Sequence, residues 1–163
     1  MSKKILLVED EAILAMSEAK MLEKHEYEVV TAYSGEKAIK AVNSDSEISL
    51  ILMDIDLGKK MNGTEAAQKI LEKHDIPIAF LSSHTEPEIV EKTEGITSYG
   101  YIVKNSGEMV LLASIKMAFR LFEAKQQIKE REEALKNEKD RLQEHIEIIE
   151  ERKRIDEQRN KHL

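Results

Sequence analysis

The chain has no cysteine among its 163 residues, which excludes disulfides, thiolate metal centres and cysteine nucleophiles. Proline occurs twice and glycine six times, none of them after Gly107, and aromatic residues make up only 4% of the chain, none after Phe122. No apolar run approaches the ~20 residues needed to span a bilayer. The stretch after the basic start Met1-Ser2-Lys3-Lys4 stops at Glu9, too short for the apolar region of a signal peptide, so a soluble, cytoplasmic protein is expected. Positive charge is also in short supply: 25 Lys+Arg against 32 Asp+Glu give a net charge of -7, and neither nucleic acid nor an anionic membrane is an expected partner.

What is present divides in two. Residues 123–163 hold 11 basic and 12 acidic side chains with no glycine, proline or aromatic residue, so nearly all the net charge lies in residues 1–122. The reading is one domain over 1–122 and a charged helical extension over 123–163, with no flexible linker marked between them. Within 1–122, short apolar runs alternate with amphipathic stretches. Strands are predicted at Ile5–Val8, Val29–Tyr33, Ile48–Met53, Pro77–Leu81 and Tyr99–Val103. Helices are predicted between them: Glu11–Lys24 on Ile13, Leu14, Met16, Met21 and Leu22, then Glu36–Val42 capped by Ser34, Asn62-Gly63 to Lys73, Pro87 to about Thr93, and a last one after Gly107. Strict alternation of strand and helix implies an α/β fold with a parallel, doubly wound sheet.

Such a sheet gathers the carboxyl ends of its strands on one edge, where ligands bind. The residues closing the apolar runs are Glu9 and Asp10, then Asp54, Ser82 and Lys104. Acids, a hydroxyl and a lysine on one edge suit Mg²⁺ and a phosphoryl group.

The segments Ile5-Leu6-Leu7-Val8-Glu9-Asp10-Glu11, Leu50-Ile51-Leu52-Met53-Asp54-Ile55-Asp56-Leu57, Phe80-Leu81-Ser82-Ser83 and Tyr101-Ile102-Val103-Lys104 together resemble the response-regulator receiver domain of two-component signalling over about residues 3–122. The resemblance implies a flavodoxin-like five-stranded sheet of order 2-1-3-4-5. It implies Asp54 as the phosphoacceptor, served by the phosphohistidine of a cognate histidine kinase or phosphotransfer protein. It further implies Mg²⁺ held by Asp10, Glu9, the Asp54 carboxylate and the Asp56 backbone carbonyl, all hard oxygen donors. Ser82 and Lys104 would bind the phosphoryl oxygens, with charge neutralisation as the main demand of the chemistry. Tyr101 would turn inward as Ser82 moves, reshaping the face of the fourth helix, fifth strand and fifth helix, while Asp56 and His84 would modulate phosphoryl lifetime. No separate enzyme substrate is expected.

Three positions depart from the family pattern. Asn105 follows Lys104 where a proline is usual, and a non-proline cis bond costs roughly 2.5 to 4 kcal/mol, which favours a trans loop of different shape. Gly58-Lys59-Lys60-Met61 lacks a proline after the phosphoacceptor, and Glu9 replaces a commoner aspartate. Two other functions compete. Asp54-Ile55-Asp56 resembles the nucleophile motif of Mg²⁺-dependent haloacid-dehalogenase-type phosphatases, but there the acid pair follows the nucleophile, whereas Glu9-Asp10 precedes it. A pseudo-receiver would dock partners without phosphorylation, and the intact acids, hydroxyl and lysine argue against that.

In the extension, Leu121, Ile128, Leu135, Leu142 and Ile149 recur every seven residues, a pattern that turns one apolar column of a helix toward a partner. The paired column is poor, holding Ala124, Arg131, Glu138, His145 and Arg152, until Ile146, Ile148 and Ile155 widen the stripe. A homodimer through this helix, or a coiled-coil linker to an output module as in receivers joined to sensor or kinase modules, is the expectation.

Overall fold

The computed structural model describes residues 2–58, 60–83, 86–97 and 99–162. Strands β1 (Lys4–Val8), β2 (Glu28–Ala32), β3 (Ile48–Asp54), β4 (Ile78–Ser82) and β5 (Tyr101–Val103) alternate with helices α1 (Ala12–Lys24), α2 (Gly35–Ser44), α3 (Gly63–Leu71), α4 (Pro87–Ile96) and α5 (Glu108–Lys161). The sheet is parallel throughout, in the order β2-β1-β3-β4-β5. This is the flavodoxin-like arrangement, in which helices cover both faces and the central strands become continuous apolar runs.

The period-2 alternation of β3 sorts the core into two layers. Ile51 and Met53 pack with Ala38 and Val42 of α2 and with Ala66, Ala67 and Ile70 of α3. Leu50 and Leu52 pack with Ala15 and Leu22 of α1 and with Leu112, Ile115 and Phe119 of α5. Local chemistry starts the helices where the sheet needs them. Ser34 Oγ accepts the Lys37 N–H at 3.1 Å to open α2, and Asn62 Oδ1 accepts the Glu65 N–H at 2.9 Å to open α3, caps worth about 1 kcal/mol each.

Two expectations need correction. Ile13, Leu14 and Met16 do not form the inner face of α1; they are exposed, and the sheet is met by Ala15 and Leu22 with Ala19 and Met21 beside them. At 100° per residue Ile13 and Met16 cannot share a face with Ala15 and Leu22, and small alanines let the helix approach the strands closely. β5 begins at Tyr101, not Tyr99. Tyr99 instead sets its ring edge-on to Phe122, 5.7 Å between centroids.

The chain divides into two compact units, Met1–Phe122 and Glu123–Leu163. In the second, the described residues are helical with none buried, and Ile128, Leu135, Leu142, Ile146, Ile148, Ile149 and Ile155 are all exposed. Among the described residues no helix is long and apolar enough to cross a membrane.

Candidate functional site

Register brings the strand-end residues together. Val8 of β1 pairs with Met53 of β3, so Glu9 and Asp54, next along each chain, emerge side by side. Asp54 pairs with Leu81, and Ser82 pairs with Val103. The Lys104 N–H donates to the Ser82 carbonyl at 2.8 Å, carrying the ladder one residue past β5 and holding the lysine at the same edge.

Asp54 is 1% exposed and both of its carboxylate oxygens are engaged. Oδ2 accepts from the Lys104 ammonium at 2.8 Å and Oδ1 from the Asp56 N–H at 3.0 Å. Lys104 Nζ also lies 3.3 Å from Glu9 Oε2, a distance that makes an ion pair, though without the alignment of a hydrogen bond, so this fully buried oxygen has no hydrogen-bond partner. Glu9 Oε1 accepts the Glu11 N–H at 3.3 Å. Each of Glu9, Asp10 and Asp54 offers one carboxylate oxygen within 4.8 Å of the others.

Three carboxylates around one ammonium leave negative charge in surplus. Burial pushes the Glu9 carboxyl up to about 7, with the negative charge of the adjacent Asp54 adding to the rise and Lys104 opposing it. Burial alone would lower the Lys104 ammonium, but its hydrogen bond and attraction to Asp54, with its attraction to Glu9, hold it above the usual lysine range. A hard divalent cation suits this donor set: Asp10 is exposed at the mouth, Glu9 and Asp54 lie beneath it, and Glu9 Oε2 has spare acceptor capacity.

The remaining sequence-predicted residues are placed as follows. Ser82 is fully buried at the end of β4. Tyr101 is half-buried against the core layer covered by α2, α3 and α4. Asp56 lies exposed on the loop after β3. His84 falls outside the described residues. The Lys104–Asn105 bond is trans, like every described peptide bond, and the turn into α5 is made by left-handed residues, Asn105 at φ 64° and Gly107 at φ 104°.

Two residues near the site escaped sequence reasoning. Gly63, the first residue of α3, lies so close to β3 that a Cβ there would come 2.0 Å from the Asp54 carbonyl oxygen; its N–H donates to the Ile55 carbonyl at 2.8 Å. Glu18 sits on the inner side of α1 among Ala15, Ala19 and Leu22, with Oε2 shielded and lacking a hydrogen-bond partner. Burial raises its carboxyl pKa, Lys104 opposes the rise and Asp54 adds to it. The signal for Glu18 was an acid spaced three after Ala15 and four before Leu22, on what becomes the buried stripe.

A family model for the response regulator receiver domain matches residues 5–116. The N-terminal domain of a response regulator/sensory box/GGDEF 3-domain protein from Carboxydothermus hydrogenoformans is 44% identical, with a TM-score of 0.70 over 76% of this chain and 98% of that one. Regulatory protein VanR of Enterococcus faecium is 33% identical over 135 residues, covering 82% of this chain and 57% of VanR. Transcriptional regulatory protein PdtaR of Mycobacterium tuberculosis is 29% identical over 121 residues, 74% of this chain and 58% of PdtaR. The chain thus spans somewhat more than half the length of these two relatives. Sheet order, edge chemistry and sequence likeness agree, and the chain belongs to the response regulator receiver domain family of two-component signalling.

Proposed function

We propose that this receiver accepts a phosphoryl group on Asp54 from a histidine kinase or phosphotransfer protein. The observation that carries the reading is the meeting of Asp54 with Lys104, at 2.8 Å, and with the acid pair Glu9 and Asp10 at the carboxyl edge of the sheet. An Asp54 oxygen attacks phosphorus, the donor's N–P bond breaks, and its electron pair returns to the imidazole, leaving an acyl phosphate on Asp54. Nucleophile and acceptor are the same carboxylate, so no general base is required.

Glu9, Asp10 and Asp54, with the Asp56 carbonyl, would hold Mg²⁺, which when bound supplies charge neutralisation to the transferring oxygens. Lys104 binds a second phosphoryl oxygen with its ammonium in this reading, and the Ser82 hydroxyl a third. A group carrying nearly two negative charges draws Ser82 inward, and Tyr101, beside Phe80 in the β4–β5 register, follows into the space released. The chain turns over no separate substrate in this reading, and the exposed apolar column of residues 123–163 pairs two copies. Incubation with a small phosphodonor and Mg²⁺ is expected to add the mass of one phosphoryl group, and Asp54→Asn to abolish the addition. An unchanged mass for the native chain with an active donor refutes the assignment; steady hydrolysis of a phosphomonoester would favour the phosphatase alternative.

A further inference from the structure

In the structure Lys104 occupies the position that the proposed chemistry must clear. Its ammonium covers Asp54 Oδ2 and lies 3.3 Å from Glu9 Oε2, so a cation that takes either of these two oxygens as a ligand must displace it from them. On the side of α1 and the β5–α5 turn, Lys104 lines a cavity of about 220 Å³ together with Glu18, Met21, Ile102, Asn105 and Glu108. Two carboxylates line this cavity. Glu108 is committed to His25, 2.7 Å from its ring Nε2. Glu18 is not, because its Oε2 is shielded from water and has no hydrogen-bond partner, a costly state for a carboxylate.

We propose that Glu18 is a positioning residue for Lys104, its carboxylate providing a second seat for the ammonium across the cavity when Asp54 and Glu9 are claimed by Mg²⁺. The inference rests on the Mg²⁺ reading of the Glu9, Asp10 and Asp54 cluster. Its physical basis is exchange of partners. In the first seat Lys104 neutralises the acid cluster and leaves Glu18 unmatched; in the second it neutralises Glu18 and frees the cluster's oxygens. Glu18 thereby lowers the cost of displacing the lysine. The hinge for this movement is short, since Asn105 and Gly107 already hold left-handed backbone immediately beyond Lys104.

The test is Mg²⁺ titration of the full, unphosphorylated chain, followed by the amide shifts of Asp10 and Asp54, with thermal unfolding in EDTA as control. Glu18→Gln is expected to weaken Mg²⁺ binding by about 3- to 10-fold, from the loss of one partly buried charge pair, while leaving the metal-free unfolding temperature unchanged or higher because an unmatched, partly buried charge is gone. In a Lys104→Met background the same substitution is expected to change affinity less than about 2-fold, which is what a double-mutant cycle reads when one residue acts through the other. Equal losses in both backgrounds would mean that Glu18 acts on the cation directly through space, and an unaltered affinity in Glu18→Gln would mean that it does not act at all; either overturns the second seat alone. Failure of the native chain to respond to Mg²⁺ removes the metal reading and the inference together.

Discussion

Replacing Glu9 with glutamine separates the electrostatic cost of the site from its packing. Glu9 is fully buried, and its carboxyl is pushed up to about 7, by burial first and by Asp54 second. In the unfolded chain the same group titrates near 4.5. Between those two values the folded protein holds a proton that the unfolded chain has released. The sign follows from linkage: Glu9 contributes its stability in full below pH 4.5, and that contribution is lost as pH rises toward 7. At 1.36 kcal/mol for each tenfold change in proton affinity, the loss is on the order of 3 kcal/mol. Glu9→Gln cannot ionise, so its stability is expected to match the native protein below pH 4.5 and to exceed it by about that amount at pH 8 without divalent cations. All four tyrosines lie in residues 1–122 and tryptophan is absent, so tyrosine fluorescence during urea unfolding reports on the receiver unit alone. Saturating Mg²⁺ should reverse the order at pH 8, because the native chain gains binding energy that the variant has lost. Parallel pH–stability profiles for the two proteins, or a native profile that rises from pH 5 to 8 relative to the variant, would refute the reasoning.

Two further expectations concern the departures of this chain. Asn105 holds φ 64°, so Asn105→Gly should be neutral within about 0.5 kcal/mol, Asn105→Ala should cost about 1 kcal/mol, and Asn105→Pro, whose ring demands φ near -65°, should cost about 3 kcal/mol in urea unfolding; a proline variant as stable as the native chain contradicts the left-handed turn. For the extension, light scattering should show the full chain approaching a dimer as concentration rises and the chain ending at Phe122 remaining a monomer, with modest affinity because Arg131, Glu138, His145 and Arg152 bring like charges together in a parallel, in-register pair. A full chain that stays monomeric throughout contradicts pairing through this helix.

The sheet and its acidic edge were legible because both rest on strands whose order and direction follow from simple periodicity. Ile5–Val8 and Leu50–Met53 are apolar on both faces, which only a covered parallel sheet explains, and once β1 and β3 are neighbours Glu9 and Asp54 have no freedom to be apart. Helix faces were harder to read. The apolar residues of α1 outnumber those the sheet can bury, and the choice of Ala15 and Leu22 over Ile13 and Met16 is made by close approach to the strands, a tertiary matter that a count of apolar positions does not contain. Glu18 followed the same rule in reverse, since an acid on that stripe reads as solvated until neighbouring elements close over it.

The departures of this chain gather around one side of one residue, and of them only the trans bond to Asn105 was legible in the sequence. Asp54, Glu9 and Asp10 are held by strand register, but Lys104 is held by a turn, and the turn is where this chain is least ordinary: a trans bond to Asn105, two left-handed residues and a half-buried glutamate lining the same cavity. Without a proline, the lysine's backbone is anchored by one ladder hydrogen bond to Ser82 and its ammonium by carboxylates. Ser82 is also the proposed phosphoryl-binding hydroxyl, so the backbone that holds Lys104 in register is the backbone that a phosphoryl group would pull on. On the proposed chemistry, displacing the ammonium from Asp54 and drawing in Ser82 would be linked through that backbone hydrogen bond, with the β5–α5 turn next in line to absorb the movement.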